Sequence, residues 1–416
     1  MVLDKQFLRK IGIYPAIKYL CHLLGIRYSR HIKYVPLNRL LCGGEQGLSA
    51  AQYARHTGNL LFPSTPFCRS PYVQFLEQYL EIGDEIFRPE VFQKTAYFAN
   101  AVECIDLAGS YFSCYREEQV EQIARRFIAQ FNNDPTQGDI SNLQPHFPSL
   151  GTPAHVRSIE YSDCYEVVDG NHRLAIAFVR GETTYPVYVV LPPSITPLQQ
   201  PLLDYALICG RRELYQPITS PELEKWVLIR RCIDRFDKIK RFLEEHDLMP
   251  PRCTTYLDIA CSYGWFVQAL GGLGFDAYGV ERDWAGVDIG RLVYGLKPHQ
   301  VTRSDAVRFL KSNTRSYDVT SCFSLLHHFV LGRASISAEE MLRLCDRATG
   351  TVMFFDMGQC HEEWFHDTLA GWDADYIEQW LRTNSDFKKI YRLGKDCDNI
   401  QPFEKNYGRT LFACMR

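Results

Sequence analysis

Two short stretches of this 416-residue chain place reactive residue types at spacings that could do chemistry. The first, VVDGNHRLAIAFVRG from Val167, passes from a strand-like start through a glycine turn into a His-Arg pair and an apolar helix. The second, YLDIACSYGWFVQAL from Tyr256, repeats that plan with an acid, Asp258, in the strand and Gly264 before the helix. A helix N-terminus carries unpaired N–H groups and the positive end of the dipole, so both corners suit a phosphate or a nucleotide. Two such corners imply two ligands.

The elements that must position them divide the chain into four spans. Residues 1–70 read as a basic, amphipathic lead-in ending in the turn-rich LLFPSTPFCRSP. Residues 71–195 read as a mixed α/β domain. Its helix REEQVEQIARRFIAQF puts Val120, Ile123, Phe127 and Ile128 on one face, and the strand TTYPVYVVL closes it. Residues 196–252 read as a connector built on one long amphipathic helix, with Ser220 as N-cap, Pro221 at its first position and MPP at its end. From residue 253 to 416, the strands TYLDIA, DAYGVER, YDVTSCFSL and TVMFFDM alternate with helices, which predicts a parallel, doubly wound sheet. FKKIYRLG and GRTLFACM suit an antiparallel pair at its edge.

Bulk composition narrows the function classes. A chain of 416 residues with 46% hydrophobic and 23% charged residues is globular and needs more than one core. A net charge of -3 argues against a dedicated nucleic-acid binder. The 15 cysteines are scattered without a C-x-x-C pair, which argues against structural zinc and for free thiols in a reducing cytosol. No metal-ligand set stands out, and no run of about 18 uncharged apolar residues is present. Through Arg39 the lead-in carries eight Lys/Arg against Asp4 alone, Lys10, Lys18, Arg27, Arg30 and Lys33 among them. Two readings stand: a helix lying on an anionic membrane or a partner protein, or a helix packed on the next domain with its basic face in water.

YLDIACSYGWF, with GVERD downstream, resembles the first two motifs of class I S-adenosylmethionine-dependent methyltransferases. The resemblance implies a Rossmann-like sheet and S-adenosylmethionine as cofactor. Asp258 would hold its amino acid end, Glu281 the ribose hydroxyls and Asp305 the adenine. Ala260 and Ser262 stand where this turn usually has glycine, and Gly264 alone remains. His327 and His328, after the fourth strand, read either as a general base for a hydroxyl acceptor or as packing and capping residues. The stretch from His327 to Arg416 is similar to the methyltransferase half of the bifunctional kinase–methyltransferases that cap bacterial O-polysaccharide chains. That similarity implies a phosphate acceptor held by cations. Arg392, Lys395 and Arg409 are the candidates, with a solvated strand face as the other reading.

VVDGNHRLAIAFVRGETTYPVYVV resembles the nucleotide-binding motif of the ParB/sulfiredoxin-like superfamily, whose free-serine kinases read Asp-Gly-His-His-Arg. The likeness implies close backbone approach at Gly170, phosphates on the amides of Asn171 and His172, and Arg173 as a fork of donors. Asp169 is the candidate carboxylate beside an acceptor hydroxyl, with ATP and Mg2+ as co-substrate; Glu81, Asp84 and Glu85 are weaker candidates. Tyr111 and Phe112 either line that pocket or pack the core. The combined expectation is a bifunctional enzyme, cytoplasmic or at the inner face of the membrane. It phosphorylates a saccharide hydroxyl, then methylates the phosphate or a nearby oxygen. The alternative is an O-methyltransferase for a small molecule or sugar, with a nucleotide-sensing or scaffold N-terminal domain. Glycan or small-molecule acceptors are expected partners, and FSLL after strand four argues against nucleic-acid base methylation.

Overall fold

The computed structural model describes residues 32–45, 48–132 and 153–416, so Lys10, Lys18, Arg27 and Arg30 of the lead-in lie outside the described residues. The chain divides into two compact units. One comprises Met1–Gln200 with Thr219–Lys225, the other Pro201–Ile218 with Trp226–Arg416. Among the described residues no helix is long and apolar enough to cross a membrane.

In the first unit β1 (Lys33–Pro36), β2 (Leu40–Leu41), β3 (Ala154–Ile159), β4 (Tyr165–Asp169) and β5 (Thr184–Ser194) form a mixed sheet in the order β1-β5-β3-β4-β2. Residues 32–70 are therefore part of this unit rather than a separate lead-in. Val35, Leu37, Leu40 and Leu41 are buried, and burial of that apolar surface outweighs the basic composition around it. The helices are α1 (Ala50–Thr57), α2 (Pro71–Ile82), α3 (Ala96–Ala108), α4 (Val120–Asn132) and α5 (Asn171–Val179). Val120, Ile123, Phe127 and Ile128 of α4 are buried, at the 3.6-residue period. Phe75, Tyr97 and Phe127 stack at 4.7–6.2 Å between ring centroids in the core. Tyr111 is fully buried there too, which makes it a packing residue.

The second unit departs from the expected connector. Pro221–Leu223 is one 3-10 turn; Ser220 precedes it without a capping hydrogen bond, its hydroxyl donating to the Glu222 carboxylate instead, and the turn belongs to the first unit. Val227–Leu228 then forms β7, paired with β6 (Glu213–Leu214). The helix, α6, spans only Ile233–Glu245. The β-branched and aromatic run WVLI prefers extended backbone, and Cys232 at φ 66° blocks a continuous helix. α6 contacts the sheet of this unit, with Phe242 against Phe354 and Tyr391, so it is a wall of the domain and not a linker.

The main sheet contains β8 (Thr255–Ile259), β9 (Asp276–Glu281), β10 (Val301–Arg303), β11 (Tyr317–Cys322), β12 (Thr349–Phe355), β13 (Lys389–Lys395) and β14 (Thr410–Met415). Its order is β10-β9-β8-β11-β12-β14-β13, with β14 antiparallel to both neighbours and the other pairs parallel. Counted within this sheet the order is 3-2-1-4-5-7-6, a doubly wound parallel sheet with an antiparallel strand inserted near one edge. Helices α7 (Trp265–Gly272), α8 (Trp284–Tyr294), α9 (Ala306–Ser312), α10 (Ala338–Ala348) and α11 (Ala374–Asn384) lie between the strands in sequence. The winding reverses between β8 and β11. In open α/β sheets a ligand crevice forms at that switch, outside the carboxyl ends of the strands.

Candidate functional site

At the end of β8 the backbone turns three times through left-handed conformations, at Ala260 (φ 62°), Ser262 (φ 55°) and Gly264 (φ 82°). Only the last is glycine, so Ala260 and Ser262 hold by strain a shape that glycine adopts freely. A Cβ at Gly264 would meet Leu296 Cδ1 at 2.6 Å, so that position admits no side chain without a shift. α7 starts directly after it. Gln216 anchors the turn: its Oε1 accepts the Trp265 N–H at 3.2 Å, and its Nε2 donates to the Cys261 carbonyl at 3.3 Å.

Three acids stand at the carboxyl ends of the adjacent strands β8, β9 and β10. Asp258 is buried; Ser321 Oγ donates to its Oδ1 at 2.6 Å, and burial pushes its carboxyl up to about 7. Among the described residues no Lys, Arg or His forms an ion pair with it. It is a buried acid that lacks a cation, which suits the ammonium of S-adenosylmethionine. Glu281, also buried, accepts the N–H groups of Ser262 and Asp283 at 2.9 Å each, which ties the end of β9 to the left-handed turn. Burial raises its pKa, and those amides oppose the rise. Asp305 is exposed and caps α9 by accepting the Arg308 N–H at 3.1 Å.

On the other side of the switch, Phe323 and Ser324 follow β11. They line one cavity with Asp258, Ala260, Arg230 and Arg235. Behind it lies a buried ionic network. Arg235 Nη1 donates to Asp356 Oδ2 at 3.0 Å, and Nη2 lies 3.5 Å from Asp398 Oδ2. Arg230 Nη1 donates to Asp396 Oδ2 at 3.0 Å. Arg409 grips Glu362 with two bonds, 2.8 and 2.7 Å, and donates to Ser324 Oγ at 2.8 Å. Ser324, strained at φ 53°, donates its own N–H to Asp356 Oδ1 at 2.9 Å. Burial works against ionisation of Asp356, yet Arg235, Arg409 and Arg230 together hold its carboxyl below the usual value. The Nε–H groups of Arg230 and Arg235 are buried without a hydrogen-bond partner.

Of the cations expected to clamp a phosphate, only Arg409 reaches this region. Arg392 sits on the edge strand β13 and is held by Asp375 and Glu378, each at 2.6 Å; Lys395 is exposed on the same strand. Strand alternation on an edge sends such residues to solvent. Arg230 and Arg235 were not visible as candidates. Their one signal is that Arg235 shares a buried helical face with Ile239 and Phe242, an arginine on an apolar stripe.

His327 is buried, and its Nδ1 accepts the Gly358 N–H at 3.2 Å. Burial, then Arg409 and His328, push its pKa well below the ordinary histidine value. A neutral ring with Nδ1 occupied carries its proton on Nε2, leaving no lone pair for a hydroxyl proton. His328 is likewise shifted down, by burial and then Arg333. The general-base reading of His327 thus gives way to packing against Phe365, 4.7 Å away between ring centroids.

In the first unit the glycine turn lies where the sequence puts it: Gly170, at φ 105°, precedes α5. The side chains after it turn inward. His172 is buried among Tyr72, Phe112 and Phe127, with Tyr97 Oη 2.9 Å from its Nε2. Burial, reinforced by Arg173, lowers its pKa to about 3. A ring so enclosed is a neutral core histidine and not a catalytic group. Asn171 Nδ2 donates to the buried carboxylate of Glu45 at 3.2 Å, and Tyr72 Oη donates to the same group at 2.9 Å. Burial pushes Glu45 up to about 8. Arg173 Nη1 donates to the Pro153 carbonyl at 3.2 Å, and its own guanidinium closes on Gly170. Asp169 alone keeps a half-exposed carboxylate, 3.3 Å from His155 Nδ1. Glu81 is exposed in the last turn of α2, and Asp84 is exposed in the 3-10 turn that follows, where Glu85 pairs with Arg88.

No protein-family model matches the sequence, and no curated protein matches it. Among solved structures the chain is similar to the bifunctional kinase-methyltransferase WbdD, with TM-score 0.42 and 16% identity over 52% of this chain and 46% of that one. The chain thus spans about half the length of that protein. It is also similar to the magnesium protoporphyrin IX methyltransferase ChlM of Synechocystis PCC 6803, solved with bound SAM: TM-score 0.32, 14% identity, 44% of this chain and 78% of that one. A third is a SAM-dependent methyltransferase from Archaeoglobus fulgidus: TM-score 0.31, 15% identity, 43% of this chain and 94% of that one.

Proposed function

We propose that the second unit is an S-adenosylmethionine-dependent O-methyltransferase whose acceptor oxygen is already anionic, with a phosphorylated saccharide as the acceptor class. The observation that carries the reading is the cavity at the switch between β8 and β11. Asp258, a buried acid with no ion pair among the described residues, and Arg230 and Arg235, whose Nε–H groups lack hydrogen-bond partners, line this same small cavity of about 20 Å3. Asp258, Glu281 and Asp305 would hold the amino acid end, the ribose and the adenine. When bound, the cofactor supplies an electrophilic methyl group. The chain's own task is then to bind, orient and exclude water. His327 and His328 are poor proton acceptors here, as is Asp356, so a substrate that must lose a proton is disfavoured. An anionic oxygen needs no such base, and the two Nε–H donors offer it charge-assisted hydrogen bonds.

The test is methyl transfer by the full chain from labelled S-adenosylmethionine to matched saccharides with and without a phosphate ester. Transfer to the phosphate ester alone is expected. Equal transfer to the neutral sugar sinks the anionic-acceptor part, and no binding of S-adenosylhomocysteine sinks the methyltransferase.

A second activity is favoured by one observation in the first unit. The half-exposed Asp169, paired with His155 beside the start of α5, could take a proton from a saccharide hydroxyl while ATP with Mg2+ supplies the phosphoryl group. Asp169→Asn would abolish nucleotide turnover and spare nucleotide binding. If the wild-type chain binds nucleotide but never turns it over, the domain is a sensor or scaffold.

A further inference from the structure

In the second unit β12 runs parallel to β11, β14 antiparallel to β12, and β13 antiparallel to β14. The connections 356–373 and 396–409 therefore lie at one edge of the sheet, the carboxyl edge at which Asp258 and Ser324 line the cavity. Backbone and side chains zip these connections together. The Trp364 N–H donates to Asn406 Oδ1 at 2.8 Å, and the Glu363 N–H donates to the Lys405 carbonyl at 3.3 Å. Lys405 Nζ lies 3.5 Å from the Glu363 carboxylate, and His361 Nε2 lies 2.9 Å from the Tyr407 carbonyl. The zip brings Trp364 against Phe403, with ring centroids 5.3 Å apart and planes inclined at 56°. Trp364 nevertheless stays 45% exposed, and Phe403 is half-buried.

Neighbouring side chains turn inward. Glu362 is buried on Arg409, and the Phe365 ring lies 5.6 Å from the Arg409 guanidinium. Arg409 in turn donates to Ser324 Oγ in the cavity wall at 2.8 Å. Trp364 is two residues from Glu362, so its backbone lies within about 7 Å of the residue that grips Arg409. The aromatic pair thus stands outside the cavity and close to Arg409.

Position and chemistry together select a ligand. The acids that would hold the cofactor stand on β8, on β9 and just after β10, whereas the loops carrying this pair leave β12 and β13, on the other side of the switch. A sugar ring is apolar on its C–H faces and polar around its edge. Its C–H face packs on the electron-rich face of an indole, and its edge hydroxyls need donors and acceptors. The exposed Glu363 and Lys405 stand beside Trp364 and offer both. A wholly apolar acceptor would desolvate those charges without replacing their bonds to water.

We propose that Trp364, bordered by Phe403, stacks on a sugar ring of the acceptor while Glu363 and Lys405 meet its hydroxyls. This rests on the reading of the acceptor as a phosphorylated saccharide, and it adds what separates such an acceptor from other phosphate esters: the arginines meet the phosphate, and the indole meets the ring.

Saturation-transfer NMR on the full chain, with gluco-, manno- and galacto-configured trisaccharides that carry no phosphate, tests the stacking without any methyl transfer. Ring C–H protons of at least one trisaccharide should take up saturation from the wild type, lose it with Trp364→Ala and regain it with Trp364→Tyr. With the phosphate ester of that trisaccharide and labelled S-adenosylmethionine, Trp364→Ala should raise KM about tenfold, equivalent to about 1.4 kcal/mol of binding, while kcat holds. Phe403→Ala, in the other loop, should raise KM less, and it serves as the test if Trp364→Ala fails to fold by circular dichroism. Saturation that depends on Trp364 without methylation of any phosphate ester keeps the stacking and removes the anionic-acceptor reading. Methylation of the ester with saturation and KM unchanged in Trp364→Ala overturns the stacking and leaves that reading standing. Saturation of no trisaccharide, or an alkyl phosphate that depends on Trp364 as strongly as the sugar ester does, would also overturn it.

Discussion

Replacing the two strained residues of the β8–α7 turn by glycine should move stability in opposite directions. Ala260 and Ser262 both sit at positive φ, which costs a residue with a Cβ about 1–2 kcal/mol. Glycine removes that strain but adds about 0.4–1 kcal/mol of unfolded-chain entropy. For Ala260→Gly the balance is a gain of about 0.5–1 kcal/mol, since its methyl group is only half-buried. Ser262 differs because its Oγ accepts the buried Tyr205 hydroxyl at 3.1 Å. Removing it strands that hydroxyl at a cost of about 1–3 kcal/mol, so Ser262→Gly should lose about 1 kcal/mol net. For a unit of this size the two variants should then melt about 4–8 °C apart in calorimetry. Adding Tyr205→Phe to Ser262→Gly removes the stranded hydroxyl and should bring the variant back above its parent, Tyr205→Phe. Movement of both single variants in the same direction, or no rescue by Tyr205→Phe, would refute the reasoning.

Four further outcomes follow. Asp258, raised to about 7, must ionise to pair with an ammonium, so S-adenosylmethionine affinity measured by calorimetry should fall up to about tenfold per pH unit below 7. Asp258→Asn should bind weakly with a flat profile. His172, depressed to about 3, destabilises the folded state as pH drops, because the unfolded chain takes up the proton first. Urea unfolding of the first unit should therefore weaken between about pH 6.5 and 3, by up to about 1.4 kcal/mol per unit, and His172→Phe should lessen that slope. Arg235→Met leaves Asp356 and Asp398 buried without their partner and should cost about 3–5 kcal/mol, partly regained by adding Asp398→Asn. His327→Asn should reduce stability without moving any limb of the rate–pH profile; a shifted limb would return His327 to the chemistry.

The strands and helices of the second unit were readable because apolar runs alternate there with amphipathic stretches, and Asp258, Glu281 and Asp305 fall at ends of consecutive strands that the topology makes neighbours. Their burial and hydrogen bonds were not readable. Local pattern places a residue on an element, whereas its partners come from distant parts of the chain: Ser321 for Asp258, and the turn amides for Glu281. The cation prediction failed for that reason. Arg392 and Lys395 are close in sequence to Arg409, yet they lie on β13, the edge strand, whereas Arg409 directly precedes the interior strand β14, and Arg230 and Arg235 arrive from before the sheet begins. In the first unit the DGNHR turn was found at its correct place, but nothing in the string told that His172 faces a cage of rings. The supposed long helix failed because its apolar period spans WVLI, a run that pairs as strand once Glu213 and Leu214 are beside it.

The residues 219–225 are fastened inside the first unit: Glu222 is buried against Thr196, Arg39 pairs with Glu224, and Lys225 pairs with Asp163. Since the segments on either side belong to the other unit, the polypeptide changes unit three times. A single scission after Gln200 therefore frees neither half, because the downstream fragment still carries a piece that the upstream fragment needs to close its core. A nicked molecule should co-purify as two bands that part only under denaturant, and gene splitting at one boundary should yield two incomplete proteins.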